Sequence, residues 1–441
     1  MKKNLIVLLL ALVNISVYAY DFETDGIYYN IVSENDRTCE VTYDPQHPYT
    51  GSLTIPASTI YDGISFKVIR IASYAISGNI DNKSVTSITI EPGLTNISDY
   101  AFAKCFQLSS VTIPSTVTTI GAYAFWQCNN LTSVNLPNGI STISDGTFNR
   151  CLKLTTITIP SSVTTIGREA FKESGLTSID LPDNLESIGN EAFYLTWLTT
   201  ITIPDGVDFI PESAFEDCYN LTSVISSRPI SVGSLAFMSC TKLTDLPLIS
   251  YIDQGGFSGC KSLTSINLSD NLTEIAGFAF HGCTNLSHIS IPGGASLTGR
   301  LTFNRCSSLK SVYLHWTNPK SIDDSIFDEC PDDMVIFIPR GSLSNYQTTP
   351  GWMKLKNFEE FDIDPATISS LKDSEGISVK NDDGLLTVSG INDGESIFIY
   401  DISGALIGSA TATAGTAIVN VRTSNHIVVL KIGKESIKVK L

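Results

Sequence analysis

After its first twenty residues this chain has no apolar run long enough to cross a bilayer, so no membrane insertion is expected. Basic residues are scarce: 28 Lys and Arg stand against 45 Asp and Glu, a formal charge of -17. A surface of that sign repels phosphate backbones and anionic lipid, which excludes nucleic acid as an expected partner. Catalytic signatures are missing as well. The five histidines, His47, His281, His288, His315 and His426, form no H-E-x-x-H. There is no G-x-S-x-G elbow, no phosphate-binding G-x-x-x-x-G-K-[ST] and no dinucleotide fingerprint. Paired C-x-x-C motifs of zinc spacing do not occur. The acidic spots at Asp323-Asp324 and Asp382-Asp383-Gly384 lack the ligand spacing of a calcium loop, and the second reads as a turn between strands. No enzyme, no cofactor and no metal site are therefore expected.

What is present is a beat. Phe102, Phe125, Phe148, Phe171, Phe193, Phe215, Phe237, Phe257, Phe280, Phe303 and Phe327 recur at gaps of 20 to 24 residues, most of them after an Ala. A period in the twenties means stacked supersecondary units. Each unit carries Leu-x-x-Val/Ile-x-Ile/Leu, often closed by Pro, as at Leu108 to Pro114 and Leu154 to Pro160. The two branched residues lie two apart and share one strand face. Pro ends the strand because it lacks a ladder donor. A second short run follows, such as Val117-Thr118-Thr119-Ile120, and the Ala-Phe segment turns the chain back within a turn or two of helix at most. One unit cannot bury its own apolar face, but stacked neighbours bury a shared one. The units are least regular between about 222 and 256, where the Phe gap falls to 20.

The blocks Ala-Phe-x-x-Cys-x-x-Leu-Thr-Ser-Val-x-Ile-Pro, seen with small variations at 124–137, 147–160 and 279–292, resemble the BspA-like leucine-rich repeat family. The resemblance runs from about residue 21 to 362. Asp25-Gly26-Ile27-Tyr28-Tyr29 with Glu40-Val41-Thr42-Tyr43 is similar to the family's N-terminal β cap. Ile338-Pro339-Arg340-Gly341-Ser342 with Gly351-Trp352 is similar to its closing segment. The resemblance implies a leucine-rich-repeat solenoid of parallel strands with short helical or turn returns. It also implies a secreted or surface-exposed bacterial protein that binds host matrix proteins, other cells or glycans. The runner-up is a structural, envelope-organising component that binds a neighbouring bacterial surface protein.

Lys2 and Lys3, the apolar stretch Leu5 to Val13 and Val17-Tyr18-Ala19 read as an export signal cut after Ala19. Its removal takes two lysines and leaves the chain more acidic still. Of ten cysteines, nine sit three residues after a repeat Phe. Ser174 and Thr196 replace this Cys in two units, so the position selects a small, weakly polar side chain. Side chains stacked in register lie ~4.8 Å apart and point the same way, whereas a disulfide needs Cβ atoms ~3.8 Å apart and facing. Free buried thiols are expected, with some disulfides the alternative.

The strand register defines two outward columns. One is Ser110, Ser133, Thr156, Ser178, Thr200, Ser223, Asp245, Ser265, His288, Ser311 and Val335; the other is Thr112, Asn135, Thr158, Asp180, Thr202, Ile225, Pro247, Asn267, Ser290, Tyr313 and Phe337. Most of this is a Ser/Thr carpet. Near its end the character changes, with His288, Tyr313, His315 and Phe337 on adjacent strands and Trp316 just beyond. Clustered aromatics suit an interface centre or a sugar-stacking platform, and these four are the candidate ligand-binding residues. The other reading is that the closing segment or the next domain covers them.

After Phe361 the repeat stops. Short alternating runs between 365 and 441, separated by Gly and Asp turns, suggest a small β-sandwich. Ile399-Tyr400-Asp401-Ile402-Ser403-Gly404 and Val429-Leu430-Lys431-Ile432-Gly433-Lys434 resemble C-terminal sorting domains of the type IX secretion pathway, although Arg422 to Ile427 departs from that pattern. The expected plan is a signal peptide at 1–19, a cap at 20–72, a solenoid with closing segment at 73–362 and a sandwich at 365–441. A monomer that takes a protein or glycan ligand at the outer cell surface, or after secretion, is expected.

Overall fold

The computed structural model describes residues 20–76, 84–361, 377–382, 385–401, 406–421, 427–432 and 435–440. The export signal, the 362–376 boundary, the turn at 383–384 and the sorting-like stretches at 402–404, 422–426 and 433–434 lie outside them. The chain divides into two compact units, Met1–Gly139 and Ile140–Leu441.

In the first unit, the strands Phe22–Thr24, Ile27–Ser33 and Thr38–Val41 pair antiparallel. From there the pairing turns parallel. Thr38–Val41 runs alongside Ile64–Ile71, which runs alongside Asn96–Ile97 and then Thr119–Ile120. A second parallel sheet joins Gly51–Ile55, Val85–Ile90, Ser110–Thr112 and Ser133–Val134. Each turn thus contributes one strand to each of two sheets, as the two apolar runs per repeat require. Parallel stacking is already established at Gly51–Ile55, well before the first repeat Phe.

The second unit has the same parallel pairing within it. Thr142–Ile143, Thr165–Ile166 and Ser187–Ile188 pair in parallel. Phe209–Ile210, Ile230–Val232, Ile249–Ile252, Glu274–Ile275 and Ser296–Leu297 form a five-stranded sheet. His288–Ile291, Ser311–Leu314, Val335–Pro339 and Phe358–Phe361 form a parallel sheet of four. The register slips between Ile230 and Ser231, inside the stretch where the repeats lose regularity. After a short helix, Leu343–Thr348, and a single 3-10 turn, Trp352–Lys354, the repeat ends. Farther along, Ser378–Asp382, Leu385–Ser389 and Thr416–Asn420 form one antiparallel sheet. Leu406–Thr411, Ser396–Asp401, Ile427–Ile432 and Glu435–Lys440 form another. Leu386, Val388, Ile397, Ile399, Val419 and Leu430 share one buried apolar cluster.

The return segments contain no helix; they are successive tight turns. From Phe102 to Phe303 the residues two before and two after each repeat Phe adopt left-handed backbone: Glu169 and Glu173 around Phe171, Glu191 and Leu195 around Phe193, Gly255 and Gly259 around Phe257. A helical run cannot survive that alternation, and each non-Gly example costs about 1–2 kcal/mol. The cost is offset by satisfied amides. Glu169, Phe171 and Glu173 donate their N–H groups to the carbonyls of Asn190, Ala192 and Tyr194 on the next turn, at 2.8 to 2.9 Å. The Phe rings between them are fully buried and stack nearly parallel, for example Phe193 on Phe215 at 5.2 Å and Phe215 on Phe237 at 5.4 Å. At Gly167 a Cβ would lie 2.5 Å from the Asp145 carboxylate, which accepts the Arg168 N–H at 2.8 Å. Close approach of successive turns thus fixes glycine there.

Each repeat Cys points back along the stack. The thiols of Cys218, Cys240, Cys260, Cys283, Cys306 and Cys330 each donate to the carbonyl oxygen of a Phe at 3.1 Å: Phe193, Phe215, Phe237, Phe257, Phe280 and Phe303 in turn. All ten cysteines are free. The two replacements fit the same space without that backward bond: Thr196 donates instead to the carbonyl of Phe193 in its own turn at 2.9 Å, and the buried Ser174 hydroxyl meets no acceptor.

Candidate functional site

The two outward columns form in the register read from the sequence. Ser110 pairs with Ser133, Thr158 with Asp180, Thr200 with Ser223 and Ser223 with Asp245. His288 pairs with Ser311, and Ser290 with Tyr313, which pairs with Phe337. The first column also reaches farther back than the repeats suggest, through Ser87 to Ser52, whose hydroxyls bond at 2.8 Å.

The four aromatic and imidazole side chains meet as expected, but not as an open platform. Tyr313 stacks on Phe337 at 4.5 Å with 8° between the rings. Phe361 stands edge-on to Tyr313 at 5.9 Å and to His315 at 5.5 Å. The His315 Nε2 lies 3.0 Å from Ser290 Oγ. Two residues from the antiparallel sheet after the repeats close over the group. Phe398 packs on Tyr313 at 5.8 Å, and Ser409 Oγ lies 2.6 Å from His288 Nε2. Tyr313 keeps only 6% of its surface exposed, and burial pushes its hydroxyl up to about 12. Burial likewise lowers the His288 pKa. The four residues expected to bind a ligand, His288, Tyr313, His315 and Phe337, thus come together, with Phe361, Phe398 and Ser409 packed against them. The large apolar area of these rings is stabilised by leaving water.

Trp316 is not part of that face. Its ring meets Trp352 at 6.0 Å, and its carbonyl accepts the Tyr346 hydroxyl at 2.8 Å. It belongs to the closing segment's packing.

The columns stay open elsewhere in the second unit. Thr156, Thr158, Ser178, Asp180, Thr200 and Thr202 are all exposed. Just ahead of Thr200 stands Trp197, 60% exposed, and one turn on lies Tyr219, 47% exposed. A Trp left in water is the costliest apolar side chain to expose and a frequent interface anchor. Sequence reading passed over it because it lies outside the two columns. The available signal was its place directly before the strand Leu, held by Lys153, Gly175 and Asn220 in neighbouring repeats.

Among the described residues no group of three or more His, Cys, Asp or Glu could hold a metal. The ion pairs of the return segments, such as Arg150 with Glu173 at 3.0 Å, are partly exposed and contribute little. Burial pushes the thiols of Cys218 to about 11 and of Cys330 to about 12, so neither is a ready nucleophile. Among the described residues no helix is long and apolar enough to cross a membrane.

The chain is similar to several solved structures. A leucine-rich repeat protein from Bacteroides ovatus is 24% identical, with 78% of this chain and 100% of that one covered and a TM-score of 0.44. A leucine rich cell surface protein from Faecalibacterium prausnitzii is 25% identical, covering 75% and 97%, with a TM-score of 0.41. The pneumococcal vaccine antigen PcpA is 18% identical, covering 78% and 98%, with a TM-score of 0.45. No curated protein matches. The profile of the BspA type leucine rich repeat region, six copies long, matches residues 62–177, 142–250 and 230–347. Those matches overlap into one span covering more than half of the sequence, with the Phe ladder and the paired strand columns inside it. The chain belongs to the BspA type leucine rich repeat family.

Proposed function

We propose that this chain is an exported, surface-displayed binding protein with no catalytic role, whose strand face holds a protein or glycan ligand. The observation that carries the reading is the open run from Thr156 to Thr202, a solvated strand face in strict register with the exposed Trp197 at its margin. A rigid parallel ladder presents such a face without further ordering, which keeps the entropic cost of binding low. The export signal cut after Ala19 and the family membership support the location. In the same reading the antiparallel strands at Phe22–Val41 act as the N-terminal cap. The two sheets between 378 and 440 make a sandwich that serves as a sorting or accessory module. The acidic surface favours a basic or neutral protein partner.

The test is a glycan and matrix-protein screen with the full chain, repeated with Trp197→Ala and with a Thr158, Thr200 and Thr202 triple alanine variant. Affinity should fall at least tenfold in the first and measurably in the second. A second reading keeps ligand contact at His288, Tyr313, His315 and Phe337, where the aromatics gather. It requires the C-terminal sheet to leave them, so Phe398→Ala should then strengthen binding. Self-association at micromolar concentration with no ligand present would instead favour the envelope-organising role.

A further inference from the structure

A hollow of about 100 Å³ lies beside the last repeats, between Gly294, Ala295 and Leu297 on one wall and Trp316, Asn318 and Lys320 on the other. Its chemistry is unlike the rest of this acidic chain. No Asp or Glu lines it, and three side-chain donors do. Trp316 is 9% exposed, and its buried Nε1–H meets no acceptor. Asn318 accepts from Asn345 Nδ2 through its Oδ1 at 3.0 Å, and its own amide nitrogen is a donor. Lys320 is exposed and forms no ion pair among the described residues. Ala295, Leu297 and Ile322 supply apolar contact.

The donor wall is held in place. Tyr346 bonds the Trp316 carbonyl at 2.8 Å, Asn345 bonds the Thr317 carbonyl at 2.8 Å, and Trp352 Nε1 bonds the Lys320 carbonyl at 2.8 Å. A buried donor without an acceptor is a standing cost, and a fixed loop that maintains it is preorganised for a ligand that brings the acceptor. Three donors, one of them cationic, with no carboxylate in the lining, match an anionic oxygen ligand. The volume equals roughly three waters at liquid density, enough for a carboxylate and its neighbouring carbon, with the remainder outside.

We propose that this hollow binds the carboxylate of an acidic sugar. A peptide carboxyl terminus shares the anion but carries an amide N–H beside it, and the one amide oxygen of the wall, Asn318 Oδ1, is already engaged. A sugar acid carries hydroxyls, which accept from Lys320 and Asn318 as readily as they donate. The site is separate from the strand face and stands whether or not that face binds a ligand.

The experiment is saturation-transfer NMR and calorimetry on the full chain with glucuronic acid, N-acetylneuraminic acid, neutral glucose and N-acetylalanine. At least one sugar acid should bind, at least tenfold more tightly than glucose. Trp316→Phe keeps an aromatic ring and removes the donor, so it should weaken that binding at least tenfold. Lys320→Gln, at an exposed position, should weaken binding and flatten its salt dependence, and it carries the test should Trp316→Phe fail to fold. The proposal is overturned if neither sugar acid binds, if both variants bind like the parent, or if N-acetylalanine binds and the sugar acids do not.

Discussion

Two stretches of one strand face behave oppositely. From Thr156 to Thr202 the outward columns carry Thr, Ser and Asp and stay in water; from His288 to Phe337 they carry rings and are covered by Phe361, Phe398 and Ser409. The backbone is the same parallel ladder in both. The difference teaches that a repeat protein encodes its framework in the inward positions and its associations in the outward ones. Where the outward positions are polar the surface remains available, and where they are aromatic the chain has used the surface itself.

The largest effect should come from the shared framework, which sets the scale for the rest. Phe193→Ala removes a fully buried ring from the middle of the stack and should cost ~3–5 kcal/mol, with hydrogen-exchange protection lost mainly in the adjoining turns. A loss spread evenly over the chain would contradict the stacked design. Next comes the covered stretch. Tyr313→Ala should cost about 2–4 kcal/mol and speed proteolysis in the strands after residue 377. If Tyr313→Ala is as mild as an open-face change, the cover is not an energetic contact.

The alkaline limb reports on the thiols. Their folded pKa values, about 11 at Cys218 and about 12 at Cys330, lie above the ordinary 9.0. The unfolded chain therefore releases these protons first as pH rises, and stability present below pH 9 should decline above it. Urea titrations at pH 8 and 10 measure this, and a chain with the repeat cysteines changed to Ser should lose less. The acid limb reports on the cover. Because burial holds the His288 pKa below 6.5, the unfolded chain takes up the proton first as pH falls. Stability present above pH 6.5 should diminish below it, and the Ser409 contact should weaken. His288→Gln should remove that dependence. The smallest effect belongs to the open stretch, where Thr158→Ala with Thr202→Ala should change stability by no more than about 0.5 kcal/mol. A larger change would mean that this face, too, is packed.

Much of the framework was legible. The alternation of branched and polar residues placed Thr158 opposite Asp180 and Tyr313 opposite Phe337 before any coordinates, because a period of two leaves no other register. The thiol position was legible from Ser174 and Thr196. The return turns were not, since left-handed backbone at Glu169 or Leu235 has no local signature, and only Gly146, Gly255, Gly259 and Gly282 hint at it. The cover over Tyr313 was not legible either. His288 and Ser409 are 121 residues apart, and no periodic pattern records which distant segment lies on a face. Trp197 was visible as an anomaly of type at its position, but exposure decides its meaning, and exposure is a property of the folded turns.

The thiol-to-carbonyl bonds have an evolutionary consequence. Cys240 donates to Phe215, and Cys260 to Phe237; each bond is addressed to the preceding turn and to nothing specific within it, since every turn offers a carbonyl at that place. Excision or duplication of one whole turn would leave every thiol with an acceptor and every ring with a neighbour above and below. The gene can therefore lengthen or shorten its product by unequal recombination in steps of one repeat, with no compensating change in the interior. Reach, rather than sequence at any one site, becomes the trait on which selection acts most readily.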